Sequence, residues 1–509
     1  MLAPASLLVL AAIAVASPTP QLDFNAATAG GQVVIGGLPD IPHHEFNPLD
    51  EMASVAPYHD APGANINPPD GCKVSAAAFL IRHSSIGGND EEWEEFMQPF
   101  VEKVNSKRHL AIHPTSPLSF LSSWESPVTE DTIEKLTGPG EEDAYSFGKR
   151  LRHFYDPLLP PKNLGRKGRK AEKAGKKVKE PFKIWTASSG RDIGTARAWI
   201  KGAFPSWQGG KNGEGDGKYI SLVKVPNKDE NWSISLTPHK ICDAFSKERG
   251  KAEAQAWLEK FGPPAVERMN QFAPGYDFNL TDVIAAQMMC GYETVISKKR
   301  SSPFCSTELF TPEEFKAHGY WHDLHWHYSV GYGAPYSPYL GAGWLNTSTH
   351  NLLSAYADPH PHPNASSLFL PDKKLPPPSA PPNGTHTQLV FIYVTHREEP
   401  AFALTALGLW NMTDDQFPTD RNPEDRVFKS SHIIPFLGHV ALERMSCEAD
   451  KENDYIRVMV NGAPQLLESC QDGPGGSCRM DLFEEFVKER TERYKDFDGA
   501  CKKPEGDEE

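Results

Sequence analysis

A chain of 509 residues is long enough for two or three domains and a large buried core. Its formal net charge of −15 speaks against a nucleic-acid binder. After the first few residues no segment approaches the ~20 consecutive apolar residues of a membrane-spanning helix.

Residues 1–16 read as a signal peptide: 7–15 are continuously apolar, and Ala14-Val15-Ala16 is a small-residue cleavage site before Ser17. The eight cysteines all follow it, an even count that reads as four disulfides in a secreted protein. Six glycosylation sequons, at Asn231, Asn279, Asn346, Asn364, Asn383 and Asn411, point the same way. Residues 17–71 are rich in Pro, Gly and Ala and read as an N-terminal extension, an arm laid over the body or partly disordered. From Cys72 the chain turns compact. Residues 74–81 form an apolar strand that ends in Arg82-His83. Residues 90–110 have helical periodicity, with Trp93, Phe96 and Phe100 on one face. Residues 162–183 carry ten Lys or Arg against two Glu and read as a basic surface loop, with a cationic lip for anions as the sharper alternative. A second strand, 182–187, runs into Ser188-Ser189-Gly190-Arg191 and a helix over 192–204. Residues 242–344 read as a mostly helical domain. Residues 358–386 are a proline-rich loop. A third strand, 388–394, runs into Thr395-His396-Arg397-Glu398-Glu399 and a helix over 401–409, and a terminal amphipathic helix spans 481–497. The pattern predicts an α/β domain built from 72–241 and 345–509, a mainly parallel sheet flanked by helices, with the helical 242–344 inserted.

In a parallel α/β sheet the C-terminal strand ends share one edge, and ligands bind there. Two histidines and two or three arginines therefore meet at one place. That set suits a phosphate: arginine forks bind its oxygens in pairs, and an imidazole attacks phosphorus. His83, beside Arg82, is disfavoured as a cation and so available as a neutral nucleophile. Arg191 opens a helix whose free N–H groups favour an anion. His396 donates to a phosphate oxygen, and Glu398 or Glu399 protonates the leaving alkoxide. A histidine cluster at His318, His322, His325 and His327 has HxxHxH spacing, but Trp321, Trp326 and Tyr328 interleave it, and a packing face is the preferred reading over a metal site. No GxSxG elbow, HExxH or Walker loop occurs, which removes serine-hydrolase, zincin and P-loop readings.

These strand ends resemble those of the histidine acid phosphatase family, in its secreted fungal phytase-like branch. Arg82-His83 is similar to the start of the family's RHGxRxP motif, Ser188 to Arg191 to its serine-rich turn, and His396-Arg397-Glu398 to its HD or HAE motif. Residues 302–310 resemble its SPFCxLF stretch with two extra residues, and 331–346 its glycine-rich segment; the likeness covers nearly everything from Cys72 to Cys501. The resemblance implies the histidine phosphatase fold, His83 as covalent nucleophile and Glu398 as proton donor. It places Arg82, Arg191 and His396 on the phosphate. It also implies the pairs Cys72–Cys447, Cys242–Cys501, Cys290–Cys305 and Cys470–Cys478. Two departures stand out. Ser85 occupies the place of the motif's second arginine, and Arg397 the place of the HD aspartate, where its charge is read as compensating for the arginine lost at Ser85.

The leading reading is thus a secreted, extracellular phosphomonoesterase that forms a phosphohistidine at acid pH. Its expected partner is a small phosphomonoester, a highly anionic one included, with no nucleic acid, no membrane, no cofactor and no metal. The alternative is a catalytically impaired or inactive secreted binding protein on the same fold.

Overall fold

The computed structural model describes residues 46–162, 181–207, 220–228, 236–297, 301–355, 388–423 and 425–503. The expected signal peptide, the sequons at Asn231, Asn364 and Asn383, most of the basic run 162–183 and the whole proline-rich loop lie outside the described residues.

One mixed sheet organises the chain. Its strands are β1 (Cys72–Arg82), β2 (Phe182–Ala187), β3 (Ile220–Val225), β4 (Val390–Thr395), β5 (His439–Cys447), β6 (Asp450–Val460), β7 (Ala463–Gln465) and β8 (Cys478–Arg479). The order is β3-β2-β4-β1-β5-β6-β7, with β8 also on β6. The half made of β3, β2, β4 and β1 is parallel, and β5 to β8 extend it in antiparallel fashion. Every residue of β4 is buried, as a central parallel strand covered on both faces requires. The two faces follow from the period of two along β1. Ala77, Phe79 and Ile81 join one apolar cluster, while Ala76, Ala78 and Leu80 join the other.

Helices α1 (a continuous run of Asp90–Glu92, Trp93–Met97 and Gln98–Lys107), α2 (Gly138–Phe154), α3 (Gly190–Ala203), α4 (Lys251–Phe272), α5 (Leu280–Ile296), α6 (Pro312–Ser329), α7 (Ser337–Ser354), α8 (Glu399–Leu407) and α9 (Met480–Arg493) surround the sheet. On one face α2 and α3 cross at glycines. A Cβ on Gly202 would sit 2.0 Å from the Tyr145 carbonyl oxygen, and one on Gly148 2.2 Å from that of Trp199. The backbones touch only because both residues lack a side chain. On the other face α7 packs against α8, and α4, α5 and α6 pack on one another.

Residues 46–61 differ from the expected arm. They form two short 3-10 turns, and Met52, Ala53, Ser54, Val55 and Ala56 are buried in the core. The four disulfides are Cys72–Cys447, Cys242–Cys501, Cys290–Cys305 and Cys470–Cys478, and Cys72 and Cys447 are register partners in β1 and β5. Asn279 and Asn411 are exposed, but Asn346 is 1 % exposed inside α7, so the folded chain has no room for a glycan there. A sequon specifies three residue types and says nothing of burial.

Beneath the antiparallel half lies a buried charge group. The Glu443 carboxylate, 0 % exposed, accepts from Arg457 Nε at 2.7 Å and from the Tyr155 hydroxyl. Removing one partner of such a pair leaves the other charge uncompensated, so Glu443→Ala is expected to lower stability by about 3–5 kcal/mol, read from urea unfolding. A loss under about 1 kcal/mol would show that the pair is solvated.

Candidate active site

The register brings the predicted strand ends together. Arg82 lies opposite Thr395, and Thr186 opposite Val394. His83, Arg191 and His396 therefore project at one edge of the sheet, as strand-end reasoning requires.

His83 is 2 % exposed. Its Nδ1 lies 2.9 Å from the Ser84 carbonyl oxygen, which only a protonated Nδ1 can satisfy; the lone pair is then on Nε2. Arg191 Nε donates to that Nε2 at 3.2 Å. Arg191 is in the first turn of α3, and the preceding Ser189 does not cap this helix; its hydroxyl accepts from Asn227 instead. His396 stands across from His83, with ring centres 6.5 Å apart and its Nδ1 3.1 Å from Asp192 Oδ2. Arg82 is pinned from behind: Nη1 donates to the carbonyls of Ser54 at 2.5 Å and Ile434 at 2.6 Å, and Phe436 lies under the guanidinium. The Nε of Arg82, the hydroxyls of Ser84 and Ser85 and the Nε2 of His396 are buried polar atoms with no protein partner.

Arg397 does not join this cluster, contrary to the compensating role expected for it. Its Nη1 donates to Glu92 Oε1 at 2.5 Å, its Nη2 to Asn89 Oδ1 at 3.2 Å, and its guanidinium lies over Trp326. Glu92 answers its charge, and Arg397 forms part of the wall of a neighbouring chamber of about 350 Å³. Glu398 precedes α8 at its N-terminus. Glu399 is engaged by His239, whose Nδ1 donates to Glu399 Oε1.

Sequence reasoning missed Glu134, Asp192, His239 and the Asn89–Glu92 pair. Asp192 was legible only as a helix residue, and nothing local marks the others. His239, Glu398 and Glu399 place three ligand-type atoms within 4.8 Å of one another, but the hydrogen bond already closes the group. Two of the four histidines of α6 pack on each other, and the other two go to separate partners. His318 packs edge-on to His322, His325 Nε2 meets the Lys247 carbonyl, and His327 Nε2 meets Asp414. This is the expected packing face.

Comparison with known proteins settles the family. The model of the histidine phosphatase superfamily (branch 2) matches residues 73–461. The chain belongs to that superfamily. It is 24 % identical to the acid phosphatase PHO1 of Komagataella pastoris, covering 92 % of each chain. It is 26 % identical to phytase A of Aspergillus oryzae, covering 82 % of each. The fold is shared with the crystal structure of the phytase from D. castellii, at a TM-score of 0.69 and 22 % identity over 87 % of this chain and 86 % of that one. The enzyme class is that of the histidine acid phosphatases.

The electrostatics of this histidine phosphatase separate its two site histidines. Burial, then Arg191 and Arg82, hold His83 well below the ordinary imidazole value, so it stays neutral in mild acid. Burial also opposes charge on His396, but Asp192 and Glu399 outweigh it and raise its pKa. Burial and the neighbouring Arg397 lower Arg82 to about 9, still a cation in acid. Burial would raise Glu398, yet His239, Arg397, Lys247 and His396 together hold its carboxyl well below the usual range. In the empty site Glu398 is a carboxylate and not a waiting acid.

Proposed function

We propose that this protein is a secreted phosphomonoesterase of the acid phosphatase and phytase kind, acting through a phosphohistidine in acid. One observation carries the reading: a neutral, lone-pair-bearing His83 Nε2 sits among arginines and unpartnered buried donors. Buried polar atoms cost free energy unless a ligand satisfies them, and an oxyanion would do so here.

Arg191, Arg82 and His396 hold the phosphoryl oxygens. His83 Nε2 attacks phosphorus; the N–P bond forms as the ester P–O bond breaks. The bound phosphate's negative charge pushes the Glu398 carboxyl upward, so it takes a proton and passes it to the leaving oxygen. Water then attacks the phosphohistidine, Glu398 accepts its proton, and phosphate and free His83 are restored.

The test is hydrolysis of an aryl phosphate with EDTA present, across acid pH, by the wild type and by His83→Ala. Turnover by the wild type alone supports the reading. Phosphate binding without turnover would favour the binding-protein alternative, for which the missing second motif arginine is the argument.

The pH profile follows from the signs above. His396 has a raised pKa, so its positive charge is present below its ordinary value and is lost as pH rises through the raised one. His83 is already neutral there. kcat/KM is therefore expected to fall on the alkaline side as His396 deprotonates. His396→Asn should flatten that limb and lower the plateau by about 10²-fold. An unchanged alkaline limb would assign it to another group.

The described rim favours small esters. Asp90, Glu91, Glu94, Glu95 and Glu248 outnumber Lys247 and Lys251 around a groove of about 690 Å³, and Lys247 is close enough to act on Glu398. A monophosphate with a neutral alcohol should show higher kcat/KM than phytate at low ionic strength, and added salt should narrow the gap. A preference for phytate that salt weakens would overturn this.

A further inference from the structure

The cation nearest the nucleophile already holds an anion that belongs to the protein. Arg191 Nη1 is ion-paired with Glu134 Oε2, while Arg191 Nε donates to His83 Nε2. We propose that Glu134 sets the affinity of the phosphate site: its carboxylate occupies Arg191 in the empty enzyme, and an incoming phosphoryl group must displace it. The inference rests on the phosphatase reading above.

Glu134 is held in place by more than its charge. Its backbone has φ of +60°, in the left-handed region that a side chain disfavours. Strain of that kind persists where the surroundings over-determine it, and it gathers at functional sites. Here the surroundings are the chain leaving β1. Glu134 N donates to the Gly88 carbonyl at 2.8 Å, and Gly87 N to that of Lys135 at 3.0 Å. Ile86 and Leu136 form an isolated bridge. The approach is close enough that a Cβ on Gly87 would lie 2.4 Å from the Thr132 carbonyl oxygen. The carboxylate is then oriented from its other side, where Asn89 Nδ2 donates to Oε1 at 3.1 Å.

The chemistry makes this pairing a competition. A phosphate beside His83 needs the Arg191 guanidinium, because the motif's second arginine, counted from Arg82, falls on Ile86 and not on Ser85, and an apolar side chain supplies no second fork. Phosphate and carboxylate are both oxyanions that take guanidinium donors in the same manner. When phosphate binds, the carboxylate has to turn from Arg191 toward water, and its side chain, 29 % exposed, already reaches solvent. Glu134 therefore weakens every phosphate ligand alike, product included. It raises KM and speeds product release without touching the bonds that change.

The test uses the full chain and inorganic phosphate as the probe, with binding by calorimetry and inhibition of aryl-phosphate hydrolysis. Glu134→Gln keeps the length of the side chain and its contact with Asn89. It should bind phosphate about tenfold more tightly and lower KM by a similar factor, with kcat unchanged or reduced. Glu134→Asp, which withdraws the carboxylate by one methylene, should lie between it and the wild type and gives a second reading if the glutamine variant folds poorly. In an Arg191→Ala background Glu134→Gln should change phosphate affinity less than twofold, since there is no guanidinium left to contest. Unchanged or weaker phosphate binding by both single variants overturns the proposal. So does a tenfold gain that survives in the Arg191→Ala background, which would make Glu134 a general source of negative field. If the wild type and every variant fail to bind phosphate, the phosphatase reading falls and this one with it. Binding by the wild type without tightening in the variants removes only the role of Glu134.

Discussion

His83→Ala is expected to lose the phosphoenzyme and to lower kcat/KM by at least about 10³-fold. The imidazole is held in one tautomer by the Ser84 carbonyl, which leaves the lone pair on Nε2, the atom proposed to attack. Burial and two arginines keep that atom unprotonated in mild acid. Among the described neighbours, Arg191 is a guanidinium and His396 is favoured as a cation by Asp192, so neither is suited to replace it in acid. Rapid acid-free quenching with labelled substrate should trap a base-stable, acid-labile adduct in the wild type only. A variant that keeps most of its activity would remove His83 from the role.

Glu398→Gln is expected to separate substrates by their leaving groups. A general acid contributes about 10²–10⁴-fold when the departing oxygen needs a proton. Alkyl phosphates should lose activity in that range, whereas aryl phosphates, whose phenolates leave unaided, should lose less than about tenfold. The structure sharpens the choice between the two glutamates. Glu399 is engaged by His239, while several cations hold Glu398 ionised, and in the proposed mechanism it is Glu398 that gains a proton as phosphate brings in negative charge. Glu399→Gln should therefore show no dependence on leaving-group pKa. The reverse pattern would give Glu399 the role, and an absence of dependence in both would place the acid elsewhere.

The parts of the site that could be read from sequence are those that lie on continuous segments. Strands β1, β2 and β4 each end in their functional residues, and the parallel register does the rest. The antiparallel half was less legible: β5 and β6 are long, but the buried charges on Glu443, Arg444 and Arg457 break their apolar pattern. Residues 46–61 lack any period because long-range packing, and not an amphipathic element, buries them. Arg397 was misread for a related reason. Its partner Glu92 is 305 positions away, and its helix shows that glutamate only as one of several acids. Glu134 is 57 positions from Arg191 and carries no motif. Strand ends announce which groups can meet; they do not announce which group has already been answered.

The seating of Arg82 bears on when the chain can first work. Its guanidinium is held between the carbonyls of Ser54, 28 positions before it, and Ile434, 352 positions after it. During synthesis the first support is made early and the second only after more than four-fifths of the chain has left the ribosome. β4, the parallel neighbour of β1, is itself made only when about three-quarters of the chain is complete. The nascent chain thus carries the proposed nucleophile from residue 83 onward but does not assemble the proposed phosphate site until elongation is well advanced.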